Sequence, residues 1–155
     1  MAKPISQLIP DFREALKEGI KDAAENIVEG LIEDGPYWDG VFAASWEVKK
    51  GQRTITTYPV NMRPVKRGGK AKEKPKDVKF LLPAIPGNEK LEGYTIGNMT
   101  RYRGYAMDLL PTPVGRKQGD APNKTARKDW YLRYVEGGRM HRRYDEAMIN
   151  VFKKY

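Results

Sequence analysis

Phe12, Leu16, Ile20, Ala23, Ile27 and Leu31 recur at steps of four, four, three, four and four residues, which is the period of one stripe of an α-helix. The pattern predicts a helix over residues 11–33. Pro10 and Asp11 suit its start, and Gly35-Pro36 supplies a stop. The opposite face carries Glu14, Lys17, Glu18, Lys21, Asp22 and Glu25, a helix-spaced alternation that offers ion pairs of about 0.3 kcal/mol each. A solvated outer face is the simplest use of such a pattern.

Beyond Gly35-Pro36-Tyr37-Trp38-Asp39-Gly40 the pattern turns extended. Residues 45–48 and 53–60 are rich in β-branched and aromatic side chains, with Lys49-Lys50-Gly51-Gln52 as a hairpin-like connection. Two antiparallel strands are expected, the second ended by Pro59, because proline cannot donate to a ladder. Phe80-Leu81-Leu82 and Tyr94-Thr95-Ile96 read as further strand. Residues 104–110 fit either a strand end or a short helix. Helical spacing returns from Thr125 to Glu136 through Ala126, Trp130, Tyr131, Tyr134 and Val135. It resumes after Gly137-Gly138 with Met140, Tyr144, Ala147, Met148 and Val151, so 125–152 forms a C-terminal helical region.

This order predicts a single α+β domain over 1–155, an antiparallel sheet packed by a long N-terminal helix and a C-terminal helix. Between the strands lies a basic insertion, residues 61–79. Eight lysines and arginines, among them Lys70, Lys72 and Lys74, stand there against Glu73 and Asp77. So little apolar surface cannot offset the entropy of ordering, and a mobile loop is expected.

Charge sharpens the picture. The net charge of +9 is uneven: residues 1–34 carry four basic against eight acidic side chains, a net of −4, and the remainder carries 25 against 12, a net of +13. Phosphate contacts by such a basic surface would give sequence-independent nucleic-acid affinity. The 61–79 loop, the Arg139-His141-Arg142-Arg143 cluster, and Tyr102 and Tyr105 beside Arg101 and Arg103 are its candidate groups. No zinc-finger spacing, RNP-like aromatic motif or helix-turn-helix signature accompanies them.

Catalytic chemistry finds little to stand on. The chain has no cysteine and one histidine, His141, which removes thiolate sites and any mechanism needing two imidazoles. Asp39 is a lone loop carboxylate, read as a turn residue bonding its own backbone. The glycines match neither a Walker A loop nor a dinucleotide fingerprint. A non-enzymatic protein without cofactor, metal or small-molecule substrate is expected. No apolar run approaches the roughly 20 residues that cross a bilayer, and the N-terminus lacks a secretory pattern, so an intracellular location with no membrane partner is expected.

The order of a long acidic helix, a turn containing proline and aspartate, and then Gly40-x-Phe42-x-x-Ser45-Trp46 resembles the start of the neck and tail-completion proteins of tailed bacteriophages. Ile96-Gly97-Asn98 followed by Tyr105-Ala106-x-x-Leu109 is similar to that family's isoleucine and asparagine strand leading to a tyrosine-alanine pair. Ala121-Pro122-Asn123 resembles the step before its last helix. The family's turn threonine is absent, Asp108-Leu109-Leu110-Pro111 replaces the usual glutamate and glycine, and the basic insertion has no counterpart.

The resemblance implies a homo-oligomeric head-to-tail joining ring in the neck of a virion, made in the host cytoplasm. Its partners would be further copies of itself, portal or connector and tail proteins, and DNA passing transiently through the channel. Neck adaptor, connector stopper and tail terminator remain open as roles. Tyr37 and Trp38 would be interface anchors, as large loop aromatics often are, with core packing as the alternative. Lys70, Lys72 and Lys74 would meet the acidic helix of a neighbour. If Glu14, Glu18, Asp22 and Glu25 line the channel, they repel phosphates and let DNA slide; otherwise they form outer surface.

Overall fold

The structure, a computed structural model, describes residues 3–37, 40–55, 74–100 and 130–154. Helix α1 spans Ile5–Asp34, strand β1 Trp46–Lys50, strand β2 Tyr94–Asn98, helix α2 Trp130–Glu136 and helix α3 Arg139–Phe152. The long helix, two antiparallel strands and C-terminal helices pack together as an α+β fold. Among the described residues, no helix is long and apolar enough to cross a membrane.

Helix α1 begins six residues before the expected start. Pro4 sits at the N-cap with extended backbone, and its carbonyl accepts from the Gln7 and Leu8 amides. Pro10 therefore lies inside the helix. Its missing amide costs one internal bond in a stretch that is solvent-exposed from Lys3 to Pro10. The buried face is also rotated from the expected stripe. Phe12 is exposed and Leu16, Ile20 and Ile27 are half-buried, whereas Ala15, Gly19, Ala23, Ala24, Val28, Leu31 and Ile32 are buried. At Ala15, Gly19 and Ala23 the reason is α3, which runs antiparallel to α1 and comes close where the side chains are small, whereas Ala24, Val28, Leu31 and Ile32 turn to the core shared with Phe42, Trp46 and Trp130. A methyl group on Gly19 would stand 2.7 Å from Met148 Sδ.

The sheet pairs β1 with β2, Trp46 opposite Asn98, Val48 opposite Ile96 and Lys50 opposite Tyr94. The expected hairpin partner, 53–60, does not fill this place in its described part. Gly51 turns the chain with φ +69°, and residues 53–55 carry no ladder. The Arg53 amide donates to Thr95 Oγ1 at 3.2 Å, and Ile55 is buried over Gly97, where any β-carbon would collide with it. Residues 56–60 lie outside the described residues.

Phe80-Leu81-Leu82, expected as strand, is a 3-10 turn over Lys79–Leu81. Asp77 Oδ1 accepts from the Lys79 amide at 3.0 Å, a local bond that favours a turn over a ladder. Of the 61–79 insertion, 61–73 lies outside the described residues. Its end is packed, with Val78 buried in the core.

The core lies where α1 meets the sheet and α2. Phe42 and Trp46 turn inward with ring centroids 5.6 Å apart at 70°, and Trp130 stacks edge-on to Phe42 at 6.3 Å and 83°. Asn98, fully buried, donates to the Phe42 carbonyl at 2.9 Å and accepts from the Thr100 amide and hydroxyl at 3.0 and 2.7 Å. One side chain thus ties the end of β2 to the turn before β1, leaving little of its hydrogen-bonding capacity unmet.

Candidate functional site

Among the described residues the densest polar cluster joins the C-terminal half of α1 to α2 and α3. Arg143 Nη1 donates to the Asn26 carbonyl and to Asn26 Oδ1 at 3.0 and 3.1 Å, and Asn26 Nδ2 donates back to the Arg143 carbonyl at 2.7 Å. Arg143 Nη2 also pairs with Glu33, which Arg139 meets at 3.3 Å, while Arg139 reaches Asp34 at 3.0 Å. Burial pushes the Asp34 carboxyl above its ordinary range, with the two arginines opposing the shift. Partly desolvated charges of this kind are costly to break from one side. They serve here as a clamp between helices.

Tyr134 completes the clamp. Its hydroxyl, almost fully buried, donates to the Ile27 carbonyl at 2.6 Å. Burial raises its phenol well above the usual range, with Arg143 pulling the other way. The unfolded chain loses this proton near pH 10.0 while the folded chain keeps it, so stability should fall as pH rises past that value. Tyr134→Phe is expected to cost about 1 kcal/mol at neutral pH. Its melting midpoint should also fall less steeply than that of the parent between about pH 9 and 11, the ordinary phenol range. Parallel pH slopes for the two proteins in thermal melts would contradict this.

Lys74 is half-buried beneath the end of α1. Its amine donates to the Glu33 carbonyl at 2.6 Å and the Gly35 carbonyl at 2.5 Å, two backbone acceptors that a helix C-terminus leaves open. Burial lowers its pKa, while Asp34 and Glu33 raise it. Lys74 is therefore engaged within its own chain. Lys70 and Lys72, its expected companions against a neighbouring acidic helix, lie outside the described residues, as do Trp38 and Asp39. Tyr37 is half-buried and packs beside Gly40, whose φ of +87° is open to glycine at little cost.

The acidic face of α1 is partly compensated by neighbouring cations. Lys17 bridges Glu14 at 2.9 Å and Glu89 at 2.7 Å, and those hydrogen bonds raise the lysine and lower Glu89. Glu18 pairs with Lys154 at 2.8 Å. Asp22 is half-buried and Glu25 exposed on the same face. Of the basic groups singled out for phosphate contact in the C-terminal region, Arg143 turns inward to the clamp, Arg139 pairs with Glu33 and Asp34 at its partly exposed edge, and His141 and Arg142 are exposed.

A cavity of about 280 Å³ opens between α1, the sheet and the C-terminal helices, with Leu31, Trp46, Ile96, Tyr131 and Met140 in its wall. Its lining includes no carboxylate, imidazole or amine. Trp46 Nε1 is buried and has no acceptor among the described residues. Among the described residues no group of three or more His, Cys, Asp or Glu could hold a metal ion.

The clamp is not legible in the sequence, because its members are separated by about a hundred residues. Gly30 was the available signal: it stands under the Tyr134 hydroxyl and the Arg143 side chain, where an added β-carbon would collide, in a helical stretch where glycine is about 1 kcal/mol worse than alanine. Comparison of the chain with protein-family models, with curated proteins and with solved structures gives no match.

Proposed function

We propose that this chain is a structural virion protein, a subunit of a homo-oligomeric ring in the neck of a tailed bacteriophage, joining portal or connector to tail around a DNA channel. The observation that supports the reading is the meeting of two motifs that carry the family resemblance. Gly40-x-Phe42-x-x-Ser45-Trp46 and Ile96-Gly97-Asn98 lie about fifty residues apart, yet Asn98 holds the Phe42 carbonyl and the Met99 amide donates to the Ser45 carbonyl at 2.9 Å. Helix, left-handed glycine turn and strand start form one rigid corner of the kind a ring subunit can present repeatedly to its neighbours. The role is one of assembly and uses no catalytic group.

Negative-stain images of the purified protein, with mass from light scattering, test this directly. Closed rings with a central opening are expected. A species without a central opening under all assembly conditions, including the presence of portal and tail proteins, would overturn the reading. The contact between basic loop and acidic helix has its own test. Reversing Lys70 and Lys72 together should weaken ring formation, whereas unchanged assembly would remove that contact. Lys74 is left out of this variant because it secures the end of α1.

A further inference from the structure

The cavity of about 280 Å³ beside the core draws its wall from all five helices and strands: Ile27 and Leu31 of α1, Trp46 of β1, Ile96 of β2, Val135 of α2 and Met140 of α3. Tyr94 and Tyr131 complete its described lining. A void of about 150 Å³ with an aliphatic and aromatic wall is already enough to take up benzene. Trp46 is 3% exposed, and its Nε1 is, among the described residues, the one buried side-chain nitrogen or oxygen without a hydrogen-bond partner. Tyr94, in the same wall, commits its hydroxyl proton to the Pro86 carbonyl at 2.5 Å. A buried donor left unmet is rare in folded proteins and calls for a partner from outside the chain.

We propose that this cavity is a binding site for a small uncharged molecule with an apolar body and one hydrogen-bond acceptor, a ketone or ester oxygen, which accepts from Trp46 Nε1. Other occupants fit the wall less well. A water molecule needs about two to four polar partners, and the wall offers one buried unmet group. A charged ligand would lose its hydration against a described lining with no carboxylate, imidazole or amine. An inserted peptide brings a backbone N–H and C=O with nearly every residue. An aliphatic or phenyl side chain from a neighbouring subunit leaves the indole unmet. A single acceptor on a carbon skeleton answers both the lining and the donor.

A ligand in this position touches all five elements at once. It binds the folded chain and not the unfolded one, so occupancy should raise the melting midpoint as its concentration rises. The site does not depend on the ring, and either can fail without the other.

Acetophenone and ethylbenzene are matched probes, alike in their apolar bodies and differing in the carbonyl oxygen. The chain has three tryptophans, so the indole N–H region of its nuclear magnetic resonance spectrum holds few signals and that of Trp46 can be followed alone. Acetophenone should move this signal and bind about tenfold tighter than ethylbenzene, the weight of one hydrogen bond. Val135→Trp and Met140→Trp, at two half-buried wall positions, fill the space and should abolish binding of both probes while the circular dichroism stays that of the parent. Equal affinity for the two probes, no binding of either, or binding that survives in both filled variants overturns the site. So does a Trp46 signal that responds to ring assembly and not to acetophenone, which gives the cavity to a neighbouring subunit.

Discussion

Replacing Trp130 with alanine is expected to destabilise the fold by about 4 kcal/mol, the cost typical of deleting a buried tryptophan. Trp130 is the point where the C-terminal helices enter the core. It stacks edge-on to Phe42 and Tyr131, and its ring lies over Gly35 at the end of α1. Its removal therefore opens a void bordered by α1, the turn before β1 and α2 at once, and elements held from several sides collapse into such a void only partly. Single domains have only about 5–15 kcal/mol in hand. Urea unfolding should show a much lower midpoint with an unchanged slope. A loss below about 1 kcal/mol would mean that the core does not depend on this aromatic junction.

Gly30→Ala should cost about 3 kcal/mol, although alanine is the better helix former by about 1 kcal/mol. A methyl group at this position would collide with the Tyr134 hydroxyl and stand 2.7 Å from Arg143 Cδ and Nε. Neither neighbour can yield freely: Tyr134 holds the Ile27 carbonyl and Arg143 holds Asn26 and Glu33. The substitution thus adds overpacking, about 1–3 kcal/mol, to the loss of partly buried polar bonds at about 1–3 kcal/mol each. Gly87→Ala is the matched control. Nothing lies within 4 Å of its added carbon, and its effect should stay within about 0.5 kcal/mol, as for an ordinary surface change. Equal effects at the two glycines would show that the clamp contributes nothing to the fold.

The two variants act on different parts of one interface. Trp130 supplies apolar area and shape, while the Gly30 clamp fixes how α3 lies along α1. That division matters for the proposed assembly, because a ring subunit that presents α1 to its neighbours needs this helix held rigidly against the body. A variant with a loosened clamp should therefore lose assembly before it loses helix content.

Periodicity by itself determined the long helix, the helical C-terminal region and the strand through Tyr94-Thr95-Ile96, because those features follow from the spacing of side chains on neighbouring residues. Tertiary structure decided the rest. The strand partner of β1 lies more than forty residues away, and the local hairpin reading lost to it once Ile55 found its place over Gly97. Along the middle of α1 the buried side was set by α3, which comes close at Ala15, Gly19 and Ala23 because small residues let two helix backbones approach, and towards its end by the core around Trp46 and Trp130. Lys74 belonged by composition to a basic loop, yet it found the open carbonyls at the end of α1. Sequence pattern specifies which face of an element is apolar, but only the partner that arrives from elsewhere in the chain decides how much of that face it covers, and on α1 it leaves Ile5, Leu8, Ile9 and Phe12 in solvent.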